Sequence, residues 1–132
     1  MTDPKKKGDV VLVVEDDLIS REIHSRLLTE IGFKNVVQAI DGMRALTVIK
    51  EQIAQDNKII LVLCDWNMPN MSGLQLLEII RKDPTLKHIP FFLISSNRNK
   101  AHIVKAIKTG VTNYLVKPIS ESKLSDKLKK YL

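Results

Sequence analysis

A chain of 132 residues with 44% hydrophobic content fits one domain with a core of its own, and its single cysteine excludes an internal disulfide framework, in keeping with a reducing, cytoplasmic setting. No apolar run nears the roughly 20 residues of a membrane span, and the stretch Met1 to Asp9 is polar, which excludes membrane insertion and a signal-peptide core. The formal charge of +6 is concentrated: Arg98 to Leu132 holds nine Lys/Arg against two acids, so that quarter carries +7 and the remainder −1.

Lys5-Lys6-Lys7-Gly8 reads as the end of a flexible basic tail over residues 1–8, with a single domain over residues 9–132. Val10 to Val14 is a short β-branched run without alternation, the pattern of a strand buried on both faces. Ile19, Ile23, Leu27 and Ile31 then recur every four residues, which predicts an amphipathic helix with that stripe toward the core, stopped by Gly32. Val36-Val37 with Ala39 predicts a second strand, and Leu46, Ile49 and Ile53 a second helix. Ile59 to Cys64 is the third strand; Ser72 is the expected N-cap of a helix carrying Leu76, Leu77 and Ile80 and ended by Pro84. Phe91 to Ile94 is the fourth strand, followed by a helix with Ile103, Val104 and Ile107 expected to face the core and Gly110 at its end. Tyr114-Leu115-Val116 is the fifth strand, and Leu124, Leu128 and Leu132 mark the last helix. Strands and helices in strict alternation demand right-handed crossovers and a parallel sheet covered on both faces. The expected class is α/β, a doubly wound five-stranded parallel sheet with five helices.

Ligands of such sheets bind outside the carboxyl ends of the strands. Strand one ends at Glu15-Asp16-Asp17, strand three at Asp65, strand four at Ser95-Ser96 and strand five at Lys117-Pro118. Taken singly, Asp16 or Asp17 reads equally as a helix cap, Asp65 as a turn residue, and Lys117-Pro118 as the end of a strand. Taken together they converge. Crowded carboxylates repel unless a proton or cation joins them, and oxygen ligands suit Mg2+ or Ca2+. A hard cation beside a hydroxyl and a lysine suits a phosphoryl group, with Asp65 as the nucleophile of an aspartyl-phosphate.

Leu12-Val13-Val14-Glu15-Asp16, the stretch Cys64 to Gly73, Ser95 and Tyr114-Leu115-Val116-Lys117-Pro118 resemble the receiver domains of two-component response regulators over essentially the whole chain. Trp66 and Asn67 after the aspartate are most similar to the stand-alone chemotaxis (CheY-like) type. The resemblance implies a flavodoxin-like receiver fold and a phosphoacceptor signalling module rather than an enzyme. It implies that Asp65 accepts the phosphoryl group from a sensor histidine kinase. Glu15, Asp16, Asp65 and the backbone carbonyl of Asn67 would hold Mg2+, Lys117 would contact a phosphoryl oxygen, and Ser95 and Tyr114 would switch with it. The Lys117-Pro118 bond is expected to be cis.

Departures from the family pattern are Glu15 in place of an aspartate, Asp17 as a further negative charge beside the metal, Ser72 before the glycine, and Asn97 in place of an acid. His24, His88 and His102 show no ligand spacing and are expected in solvent, and Cys64 is expected in the core. The basic excess admits a solvated face or, on the helix–strand–helix surface carrying Lys105, Tyr114 and Lys127, the seat of an acidic protein segment, with nucleic acid the weaker alternative; the chemotaxis resemblance implies a segment of the flagellar motor switch there. A phosphatase of the haloacid dehalogenase kind would need an aspartate at position 67, which is Asn67. Neither phosphate-binding glycine motif occurs, which speaks against a nucleotide-binding domain. A receiver domain within a longer regulator that has a DNA-binding or catalytic output domain stays open as an alternative.

Overall fold

The computed structural model describes residues 8–132. The expected tail over residues 1–8 lies, but for Gly8, outside the described residues. In chain order the elements are β1 (Asp9–Val14), α1 (Leu18–Ile31), β2 (Val36–Ala39), α2 (Gly42–Ala54), β3 (Lys58–Asp65), α3 (Gly73–Lys82), β4 (Phe91–Ser95), α4 (Lys100–Thr109), β5 (Asn113–Val116) and α5 (Glu121–Leu128), with a 3-10 turn at Lys129–Tyr131. The strands form one sheet in the order β2-β1-β3-β4-β5, every pair parallel.

Alternation along the strands divides the core into two layers. Val10, Leu12, Val14, Val62, Cys64, Phe91 and Leu93 pack with residues of α2, α3 and α4. Val11, Val13, Leu61, Leu63, Phe92 and Ile94 face the other way and pack with Leu28 of α1 and with Leu124 and Leu128 of α5. The β1–β3 register slips between Val10 and Val11, whose partners are Ile59 and Leu61. Because side chains alternate with period two, that slip resets the phase of β3 and so fixes which face Cys64 and then Asp65 present.

Helix starts follow side-chain capping. Asp17 accepts from Ser20 N at 2.8 Å, Asp41 from Arg44 N, and Asn99 from Ala101 N. Ser72 and Gln75 form a reciprocal capping box at α3. Gly32 and Gly110 end α1 and α4 at φ 131° and 102°, conformations costly for a residue with a Cβ.

Two helical faces differ from expectation. On α1 Leu27 and Ile31 pack against the core as expected, but the buried residues are His24, Ser25 and Leu28, while Ile19 and Ile23 are 68% and 53% exposed. On α4 Ala106 is buried, Ile103 is half-buried, and Val104 and Ile107 are exposed. Small and polar side chains let these helices approach the sheet, and the larger aliphatics turn outward. On α5 the leucines Leu124 and Leu128 are buried as expected, whereas Leu132 is exposed. Among the described residues no helix is long and apolar enough to cross a membrane.

Candidate functional site

The order of strands reverses between β1 and β3, and their carboxyl ends open the crevice there. Glu15 follows β1 and is 1% exposed; Asp65 ends β3 and is 6% exposed. Carboxylate oxygens of Glu15, Asp16 and Asp65 all lie within 4.8 Å of one another. Asp17 takes no part in this group: its carboxylate caps α1, and the hydrogen bond from Ser20 lowers its pKa. Asp17 therefore serves as an N-cap rather than a member of the ligand group, while its charge still acts on Lys117.

Lys117 follows β5, and its Nζ lies 3.1 Å from Asp65 Oδ1 and 3.5 Å from Glu15 Oε1. Burial works against the charge of Lys117, but its hydrogen bond to Asp65 and the charges of Asp65 and Glu15 raise its pKa above the ordinary value. Glu15 is pushed up to about 7, first by burial and then by the negative charge of Asp65, with Lys117 pulling the other way. Its Oε2 is buried with no hydrogen-bond partner among the described residues. An oxygen-only cluster with one stranded carboxylate oxygen fits a hard divalent cation. Arg21 Nη1 donates to the Glu15 carbonyl at 2.9 Å and fixes the acidic turn from α1.

Ser95 ends β4 and is fully buried, and its Oγ accepts from Asn97 N at 3.1 Å. Tyr114 on β5 donates its hydroxyl to Asn97 O at 2.6 Å. Asn97 is thus held by Ser95 at its nitrogen and by Tyr114 at its carbonyl, a junction that neither residue's type announces. The Lys117-Pro118 bond is cis. Asn67 is exposed in the loop two residues past Asp65. That loop is anchored where Gly73 N donates to Trp66 O at 2.8 Å, and a Cβ on Gly73 would run into the Asp65 carbonyl oxygen. Cys64 is fully buried as expected, and burial pushes its thiol pKa well up.

The response regulator receiver domain family matches residues 11–129. The chain belongs to this family. The receiver domain is 38% identical over 124 residues to chemotaxis protein CheY-3 of Vibrio cholerae, spanning 94% of this chain and 92% of that protein. Its identity to chemotaxis protein CheY1 of Helicobacter pylori is 37% over 118 residues, with 89% of this chain and 92% of the relative covered. Among solved structures, chemotaxis protein CheY4 of Vibrio cholerae superposes with a TM-score of 0.82 at 26% identity, over 94% of this receiver domain and 98% of that chain. This is a receiver domain of a two-component response regulator with CheY-like relatives.

Around the receiver domain's acidic crevice, two of the three histidines depart from the solvent placement expected of them. His24 is buried on α1, and His102 on α4 stacks on Trp66 with ring centroids 3.5 Å apart. His88 is exposed. Lys105 is exposed on α4, and Lys127 joins Tyr114, Val116, Ile119 and Lys123 around a cleft of about 250 Å³. Loop closure at Asn97 and the His102 stack arise from contacts between elements, so no spacing in the sequence signals them.

Proposed function

We propose that the domain takes a phosphoryl group onto Asp65 from a sensor histidine kinase in the cytoplasm and passes the change to a partner-binding face. One observation carries this reading: the Asp65 carboxylate and the Lys117 ammonium are 3.1 Å apart, beside Glu15 and at the strand end next to Ser95. Asp65 attacks phosphorus in line while the leaving group departs on the opposite side. Lys117, already charged and held at the crevice, pairs with a phosphoryl oxygen as charge builds there. Glu15, Asp16, Asp65 and the backbone carbonyl of Asn67 would hold Mg2+, which supplies charge neutralisation when bound.

Ser95 then has a choice of partner. If its hydroxyl turns to the phosphoryl group, Asn97 loses the acceptor of its N–H, and the carbonyl that holds the Tyr114 hydroxyl is set free to move. Tyr114 lies on the cleft shared with Lys123 and Lys127. The charge of that cleft suits an acidic protein segment, and the CheY-like relatives make a segment of the flagellar switch the favoured candidate. Incubation with acetyl phosphate and Mg2+ adds a single phosphoryl group by intact mass, and Asp65→Asn abolishes the addition. Full labelling of that variant would sink the reading.

A further inference from the structure

Trp66 follows Asp65 directly in the chain, and its side chain is buried. The His102 imidazole, in the first turn of α4, stacks on the indole with planes 26° apart. Tyr114 meets both rings edge-on, 6.1 Å from Trp66 and 6.3 Å from His102. The start of α4 is thereby joined to the residue next to the phosphoacceptor, while the end of α4 at Gly110 is held by Arg81. Yet His102 Nε2 is buried here with no hydrogen-bond partner among the described residues. A stranded polar atom weighs against the arrangement that buries it, whereas an apolar ring of the same shape would keep the stack without that cost. The stack attracts and the nitrogen opposes.

We propose that His102 is a positioning residue that latches α4 to the phosphoacceptor loop: its stack on Trp66 holds one placement of the helix, and its unpartnered Nε2 favours another in which that nitrogen meets a donor or water. The inference rests on the reading of Asp65 as phosphoacceptor, the event to which the latch responds. An activator that favours one placement is helped by any substitution favouring the same placement and hindered by one favouring the other. His102→Phe keeps the ring and removes the nitrogen, which strengthens the stacked placement. His102→Ala removes the ring, and His102→Leu removes it while keeping the space filled should the alanine variant fail to fold.

Trp66 is the chain's single tryptophan, so its emission follows the contact without a label. The four proteins are titrated with beryllofluoride at saturating Mg2+, read by Trp66 emission, and incubated in parallel with acetyl phosphate, read by intact mass. The midpoints of His102→Phe and of the Ala or Leu variant move to opposite sides of the parent's, each by about threefold or more. A residue that merely fills space would leave the Phe and Leu variants, which keep it filled, on the same side of the parent or at its midpoint. Midpoints that coincide with the parent's, or that shift to one side together, overturn the latch. A parent that takes no phosphoryl group overturns the reading of Asp65 and the latch with it; labelling of all four with coincident midpoints overturns the latch alone.

Discussion

Glu15 Oε1 lies 3.5 Å from Lys117 Nζ, while Oε2 of the same carboxylate is buried and unpartnered among the described residues. Glu15 and Asp65 share the Lys117 ammonium with Asp16 close beside them, an electrostatic load that a bound Mg2+ would relieve. Melting in Mg2+ at ten times its dissociation constant is expected to show about 1.4 kcal/mol more stability than melting in chelator. Asp16→Ala raises the metal-free melting temperature and removes most of the Mg2+ effect; identical curves for the parent in both buffers would contradict this. Two groups set the pH dependence with opposite signs: Glu15, raised to about 7, favours the folded state as pH falls through that value, and His24 opposes it. Burial, and next the positive charge of Lys117, lower the pKa of His24, with Asp65 pulling weakly upward. The folded state therefore binds a proton there less readily than the unfolded chain. Stability from a neutral His24 is present above the ordinary value of 6.5 and is lost as pH falls through the lower folded value. Because Glu15 is present in both proteins, the difference isolates His24: from about pH 7.5 to about pH 5.5 the parent's melting temperature should fall relative to that of His24→Leu, and equal slopes would refute it. The strand-end residues were legible because each follows an apolar run and the topology sends every such end to one edge. His24 and His102 were not, because only the packing of α1 and α4 decides their surroundings.

At the scale of elements, Arg81 of α3 ties three segments together. Its Nε donates to Gly110 O at 2.8 Å, and its Nη1 donates to Lys87 O at 3.0 Å and Ile89 O at 2.7 Å. The end of α4 and the approach to β4 are thus fixed to one guanidinium. Hydrogen bonds from a charged donor are each worth about 1.5–3 kcal/mol, less where water competes, so Arg81→Ala should cost roughly 2–3 kcal/mol in a urea melt. A loss below about 0.5 kcal/mol, the range of an ordinary surface change, would show the clamp to be idle. The strands themselves could be read from sequence: runs such as Val10 to Val14 are buried on both faces and need no partner to declare them. Helix faces were harder. On α1 the stripe that meets the sheet runs through His24, Ser25 and Leu28, so counting aliphatics picked Ile19 and Ile23 on the outside. Ala106 plays the same part on α4, where Ile107 is 62% exposed. Close helix–sheet approach selects small side chains, and hydropathy does not report that selection.

Over the whole molecule, the residues before Arg98 sum to −1 and those from Arg98 onward to +7. The basic excess thus falls on the segment that forms α4, β5 and α5, where exposed Lys105 and Lys127 would favour an acidic partner, and the same segment supplies Lys117 to the acidic crevice. Lys105→Glu and Lys127→Glu should each weaken capture of an acidic partner by the beryllofluoride-activated domain by about tenfold at low salt, with the difference shrinking as salt rises. Capture that ignores both the reversals and the activation state would mean that the face is only a solvated surface. Signalling by this domain would rest on one covalent bond, from Asp65 to phosphorus. The most direct test is to treat the chain with acetyl phosphate and Mg2+, reduce the acyl phosphate with borohydride, and map the product by peptide mass spectrometry. The prediction is homoserine at position 65, with no other residue converted. Conversion at another carboxylate, or an unmodified Asp65 in a chain that has bound Mg2+, would contradict it.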